Sequence, residues 1–191
     1  MSEKDNNINE PAGSTPAGGE NWPAGLIDIT ENLVIREFLP DEAGLCRRVY
    51  IECGCMADKD PAKMSPEEFR DFHLAYIKYQ YGFYGYGNWG IFLKTHDIAD
   101  PAEYLSICGE PVGLVGLVNG SASGVGELSY YIIPKFRRRG FAYEACTAAL
   151  EYGRECGFTV FEARIRSDNI PSVKLAEKLG IRIIAEKTDI L

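Results

Sequence analysis

The residues best suited to chemistry are Arg137-Arg138-Arg139-Gly140-Phe141-Ala142, which follow a predicted strand, Glu127 to Ile133, and open a predicted helix running to about Cys156. The first turn of a helix carries backbone N–H groups with no intrahelical acceptor, at the electropositive end of the helix dipole, so an anion such as a pyrophosphate can bind there. Gly140 permits a backbone conformation or approach that a side chain would obstruct. Three guanidiniums add charge that neutralises phosphate. Without its context, such a basic run also fits a solvated helix start, a localisation signal or a nucleic-acid patch. It is not a P-loop, because no Gly-Lys-Ser/Thr follows, and it lacks the G-x-G-x-x-G dinucleotide fingerprint.

The flanking elements must hold this turn in place. Ala142, Ala145, Cys146, Ala149, Leu150 and Gly153 recur at three- and four-residue steps. This narrow face of small residues lets the helix sit close to a sheet and fixes its N-terminus. Upstream, Asn32 to Leu39 reads as a first strand ended by Pro40, and Asp41 as the cap of a helix to about Glu52. Ser65-Pro66-Glu67-Glu68 combines a Ser cap, Pro at the first helical position and Glu three residues after the cap, predicting a helix to about Gln80. Its Phe69, Phe72, Tyr76 and Tyr79 form an aromatic stripe read as core. Tyr81 to Gly87 alternates rings with glycine, which suits a mobile wall over a ligand or a plain surface connection.

Strands are predicted at Trp89–Lys94, Tyr104–Cys108, Val112–Val118 and Glu127–Ile133, with a turn at Gly109-Glu110-Pro111 and a hairpin loop over Asn119–Gly126. The order then becomes strand, helix 139–156, strand Thr159–Ile165, helix Pro171–Leu179 and strand Ile181–Glu186, which calls for right-handed crossovers. The expected fold is α+β, a mixed and mostly antiparallel sheet with helices on both faces.

At 191 residues with 46% hydrophobic side chains, one globular domain is expected over 26–191. Residues 1–25, rich in Asn, Glu, Gly, Pro and Ser, are expected to form a disordered tail. A net charge of −8 argues against a nucleic-acid protein. No apolar run approaches the roughly 20 residues that cross a bilayer, and no secretory signal opens the chain, so a cytoplasmic protein without a membrane role is expected. The six cysteines show no C-x-x-C pair and only His73 and His96 could join them, so no metal is expected; Cys53-Gly54-Cys55 is the one close pair.

Arg137-x-x-Gly140-x-Ala142 resembles the Q/R-x-x-G-x-G/A signature of the GCN5-related N-acetyltransferase (GNAT) superfamily. The resemblance extends over residues 30–188, through Leu33-Val34-Ile35-Arg36, Glu127-Leu128-Ser129-Tyr130-Tyr131-Ile132-Ile133-Pro134, Tyr143-Glu144-Ala145, Asn169-x-x-Ser172 and Glu177-Lys178-Leu179-Gly180. These segments look like the branch that acetylates ribosomal-protein N-termini. The resemblance implies a splayed sheet and acetyl-CoA as co-substrate. The backbone of Ile132 and Ile133 is expected to pair with the pantetheine amides. The amides of Arg138, Arg139, Gly140, Phe141, Ala142 and Tyr143 are expected to hold the pyrophosphate, and Asn169 and Ser172 to contact the pantetheine arm from the other side. Taken alone, Asn169-x-x-Ser172 is only a helix cap.

Acetyl transfer to an amine needs a neutral amine, a polarised thioester carbonyl and a stabilised or protonated thiolate. Glu127, which matches a frequent Glu of the resembled branch, is the candidate base; it could equally end a hairpin or pair with a cation. Relatives often place a Tyr seven residues after the Asn, where this chain has Ala176. Tyr130, Tyr131 or a tyrosine of the 81–86 segment could substitute as proton donor. Relatives also continue past the Ile181 strand into another strand. The domain is therefore expected to lack its last strand, with the edge left open or filled by a partner chain as in a homodimer. The acceptor is expected to be a small amine or a peptide N-terminus, and the acidic balance favours a cationic one. The alternatives are a non-catalytic acyl-CoA-binding regulatory module and a nucleic-acid protein using Lys135–Arg139.

Overall fold

A computed structural model describes residues 23–54 and 60–185. A seven-stranded sheet runs in chain order: β1 (Leu26–Ile29), β2 (Leu33–Arg36), β3 (Asn88–Lys94), β4 (Cys108–Asn119), β5 (Val125–Ile132), β6 (Val160–Ile165) and β7 (Arg182–Ala185). The first five are antiparallel neighbours, whereas β5–β6 and β6–β7 are parallel. The two parallel steps are made by crossover helices α3 (Phe141–Glu155) and α4 (Ile170–Leu179), as parallel pairing demands.

Helices α1 (Ala43–Cys53) and α2 (Pro66–Tyr76) cover one face. There the Asn88 side chain donates to the Tyr50 hydroxyl, and the Tyr76 hydroxyl accepts from the Asn88 N–H at 2.7 Å. The other face carries α3, whose Tyr152 ring packs edge-on against the fully buried Trp89 at 5.1 Å. The strand alternation therefore sorts each side chain to one helical layer or the other. Leu117, Leu128 and Phe161 belong to the α3 core, while Phe38 and Phe92 meet edge-on on the α1/α2 face.

Several expectations are corrected by local chemistry. The strand predicted at Asn32–Leu39 is confined to Leu33–Arg36, and a short β1 precedes it. Asp41 is not the cap of α1. A 3-10 turn, Pro40–Glu42, leads into that helix instead, and the Glu42 carboxylate accepts from the Leu39 N–H at 2.8 Å while gripping the buried Arg36 guanidinium at 2.7 Å. The Ser65 capping box forms as predicted, with Glu68 accepting from Ser65 N–H at 2.8 Å. Tyr81–Gly87 is not a loop throughout: α2 continues as a π-helix, Ile77–Tyr84, which ends at left-handed Gly85. Of the strand predicted at Tyr104–Cys108 only Cys108 is extended, as the first residue of β4, because Asp100 accepts from Ala102 N–H and starts a 3-10 segment, Pro101–Ile107. The turn expected at Gly109-Glu110-Pro111 lies inside β4, where the register against β3 slips around Pro111, a residue without an N–H to donate.

The expected tail falls on residues 1–22, outside those described. Gly25, at its end, already belongs to the fold, since its carbonyl accepts from Glu37 N–H at 2.8 Å. Cys55 and residues 186–191 also lie outside the described residues. Cys53 is buried, with its thiol 3.7 Å from the Tyr131 carbonyl.

Candidate active site

Strands β5 and β6 pair only at Val125↔Val160, Gly126↔Phe161 and Glu127↔Glu162, and beyond that point they part. The gap is a cleft of about 290 Å³ lined by Glu127 to Tyr131 on one wall and by Ala163 to Arg166, Asn169 and Ser172 on the other. The β4–β5 register, with Ile133 N–H donating to Val112 O at 2.9 Å and Gly120 N–H to Val125 O, shows that odd-numbered residues of β5 turn their main chain to β4. Tyr130 and Ile132 therefore turn theirs to the cleft. Of the two residues expected to pair with a ligand strand, Ile132 faces the cleft, with its carbonyl accepting from Arg137 Nε at 2.9 Å. The Ile133 amide is committed to β4, whereas the Tyr130 main chain faces the cleft.

The basic turn sits at the open end of the cleft. A 3-10 turn, Pro134–Phe136, precedes it, and the chain enters the left-handed region at Arg138 (φ 65°) and again at Gly140 (φ 86°), which caps α3. Such alternation makes a concave nest of N–H groups. The amides of Arg138, Arg139, Gly140, Phe141, Ala142 and Tyr143 have no protein acceptor among the described residues, whereas the next, Glu144 N–H, returns to Gly140 O at 3.1 Å. A Cβ built on Gly140 has nothing within 4 Å, so the concavity is open. Arg138 and Arg139 are exposed, Arg139 lying over the Phe136 ring at 5.5 Å.

The turn is held rigidly. Along the small-residue face of α3, Ala145, Cys146, Ala149 and Gly153 are buried, and a Cβ on Gly153 would lie 2.7 Å from Leu117. The Glu144 carboxylate binds Thr30 Oγ1 at 2.6 Å and Asn32 N–H at 2.7 Å, tying the start of α3 to the β1–β2 turn. Sequence reasoning quoted Glu144 within a motif but had no signal for this anchor, whose partners lie over a hundred residues away.

On the other wall, Asn169 caps α4, accepting from Ser172 N–H at 3.4 Å. The Tyr130 hydroxyl reaches across the cleft to donate to Ser172 O at 3.2 Å, and burial raises the pKa of that phenol. Glu127 does pair with a cation: Arg164 Nε lies 3.0 and 3.1 Å from its two oxygens. Arg164 was missed in the sequence, where nothing distinguishes it from a solvated strand residue. Ala176 is fully buried inside α4. Of the tyrosines considered as proton donors, Tyr130 and Tyr131 line the cleft. Tyr81 is buried against Asn88 O, and the Tyr86 hydroxyl donates to Asn119 Oδ1 at 2.9 Å.

A wider concavity of about 430 Å³, lined among others by Leu150, Arg154, Leu179 and Arg182, lies at the opposite ends of α3 and α4. It has neither the free amides nor a carboxylate, and the cleft is the better-equipped site.

The sequence profile of the acetyltransferase (GNAT) domain matches residues 32–182. The chain belongs to the GNAT acetyltransferase family. Over 63 residues it is 36% identical to mouse (Mus musculus) alpha/beta-tubulin-N-acetyltransferase 9, a match covering 32% of this chain and 26% of that protein. The fold is similar to that of a GNAT-family acetyltransferase from Bacillus anthracis, with 23% identity, TM-score 0.58 and coverage of 82% and 83% of the two chains. It is also similar to the ribosomal-protein acetyltransferase RimL in complex with coenzyme A, with 16% identity, TM-score 0.58 and coverage of 80% and 81%. In GNAT terms the parting of β5 and β6 is the splayed sheet that the motifs implied. Among the described residues no helix is long and apolar enough to cross a membrane, and no group of three His, Cys, Asp or Glu could hold a metal.

Proposed function

We propose that the chain is an acetyl-CoA-dependent N-acetyltransferase that moves an acetyl group directly to a primary amine. The observation that carries this reading is the set of six amides, Arg138 to Tyr143, without protein acceptors at the open end of a cleft whose strand edge is unpaired. That arrangement fits a pyrophosphate on a long amide-bearing arm: the nest would hold the anion, and the main chain of Tyr130 and Ile132 would pair with the arm. Exposed Arg138 and Arg139 add positive charge to the nest, and Asn169 and Ser172, which line the cleft from α4, would border the arm. Bound there, acetyl-CoA supplies a thioester, so that an ammonium acceptor yields an N-acetyl amine, coenzyme A thiol and one proton.

Glu127 lies at the apex of the cleft, where it can take the proton from the incoming ammonium directly or through a water. Arg164 fixes the carboxylate by its Nε edge, which leaves further lone pairs on both oxygens. Tyr130, whose phenol burial favours in the protonated form, would turn its O–H from Ser172 O to donate toward a departing thiolate. Cytoplasm is the compartment proposed, where buried thiols such as Cys46 and Cys146 stay reduced.

A second reading, a non-catalytic acyl-CoA-binding module, is favoured by the burial of Ala176 and by the Arg164 partner of Glu127. Coenzyme A thiol release across a panel of amines and peptides separates the two. Turnover in the wild type that falls at least about 100-fold in Glu127→Gln, the scale of general-base catalysis, supports the enzyme. Saturable acetyl-CoA binding without turnover on any acceptor supports the module.

A further inference from the structure

We infer that the acetyl acceptor is a free α-amino acid, an amine with a carboxylate one carbon away. The inference rests on the acetyl-transfer reading and adds the substrate class of the same cleft.

Strand alternation places Glu127, Ser129 and Tyr131 on the α1/α2 face, since Ser129 shares that face with Asn88, while Tyr130 reaches α4 on the opposite face. The cofactor arm and the acceptor therefore enter from opposite faces, and the acceptor meets Glu127 first. Beside Glu127 stands Arg164, held through Nε at 3.0 and 3.1 Å, with no acceptor for its Nη1 or Nη2 among the described residues. Its side chain lines the cleft and is 55% exposed against 21% for Glu127, so the fork of the guanidinium is accessible to a ligand. The neighbouring carboxylate, Glu162, does not compete for it. Glu162 is wholly buried and its oxygens accept from Ser121 N–H at 2.6 Å and Ser121 Oγ at 2.9 Å. Arg166, also lining the cleft, adds a second guanidinium, paired with Asp168 at 2.6 Å.

An acceptor whose ammonium binds Glu127 brings the substituents of its α-carbon beside the Arg164 fork. A carboxylate there gains charge-assisted hydrogen bonds from a guanidinium already oriented to give them. An amide gains no charge pairing, and the second ammonium of a diamine would meet the Arg164 fork with Glu127 already occupied, while the Arg166 charge is balanced by Asp168.

The test uses the full chain with the protein amino acids, their α-amides and 1,4-diaminobutane. Thiol release is read with acetyl-CoA, and binding of each acceptor is read by saturation-transfer NMR. The best amino acid should exceed its own amide by about 10- to 100-fold in kcat/KM, the worth of a hydrogen bond to a charged group, and the same order should appear in binding. In Arg164→Gln the amino-acid-to-amide ratio should fall to about one, with part of it restored in Arg164→Lys. Amides matching amino acids, diaminobutane as the best acceptor, or a ratio that survives Arg164→Gln would overturn the inference while leaving acetyl transfer standing. Absence of both acetyl-CoA binding and thiol release with every acceptor would overturn acetyl transfer itself, and the acceptor class with it.

Discussion

Glu37 links burial to pH most sharply. It lies one residue beyond the Arg36–Gly90 pair at the end of β2, its side chain has no hydrogen-bond partner among the described residues, and desolvation alone raises its pKa from 4.5 to about 7. The raised value means that the folded protein prefers the protonated acid. Below about pH 4.5 both folded and unfolded chains carry the proton and no penalty exists. Between about pH 4.5 and 7 the unfolded chain releases it first, so stability falls as pH rises, and above about pH 7 the loss is complete. At 1.36 kcal/mol per pH unit, the difference is about 3 kcal/mol. Glu37→Gln removes the titration, so the variant should match wild type at pH 4 and exceed it by about 3 kcal/mol at pH 8. For a chain of this size that is about 6–12 °C in Tm. Urea unfolding of both proteins at the two pH values measures it. Equal stabilities at pH 8, or a variant weaker at pH 8 than at pH 4 relative to wild type, would refute the reasoning.

Gly153→Ala should lower stability by about 1 kcal/mol in thermal melts, because the added methyl would sit 2.7 Å from Leu117 and 2.8 Å from Phe161, and overpacking of about 1–3 kcal/mol outweighs the gain in helix propensity. A higher Tm would contradict close seating of α3. Ala176→Tyr, which restores the residue that relatives often carry, should not raise kcat and should destabilise by at least about 1–3 kcal/mol in urea unfolding, since position 176 is fully buried.

The parts of the fold legible in the sequence are those written in local chemistry. The Ser65 box, the small-residue face of α3 and the strand-turn-helix around Gly140 all form where their residue types require. The failures came where a local signal met a competing one. Asp100 with Pro101 turned an apolar run into a 3-10 segment, and Pro111 was absorbed as an irregularity in a strand rather than ending it. The ring-and-glycine alternation after Tyr81 could not reveal a π-helix, which depends on hydrogen bonds between residues already helical. At the site, the turn and the Asn169 cap were readable, whereas the Glu127–Arg164 pair, the Glu144 anchor and the Tyr130–Ser172 bridge join residues 37, 112 and 42 positions apart. Only the register of the assembled sheet brings them together.

The central claim is that the Arg138–Tyr143 nest binds the pyrophosphate of acetyl-CoA, and calorimetric titration of acetyl-CoA into wild type and Gly140→Asp tests it most directly. A Cβ at position 140 meets no atom within 4 Å, and the left-handed backbone at φ 86° costs Asp a strain of about 1–2 kcal/mol, so the variant should keep the wild-type circular dichroism while it brings a carboxylate to the nest. The account predicts saturable single-site binding in the wild type and none in Gly140→Asp. No binding in the wild type, or unchanged affinity in the folded variant, would contradict it.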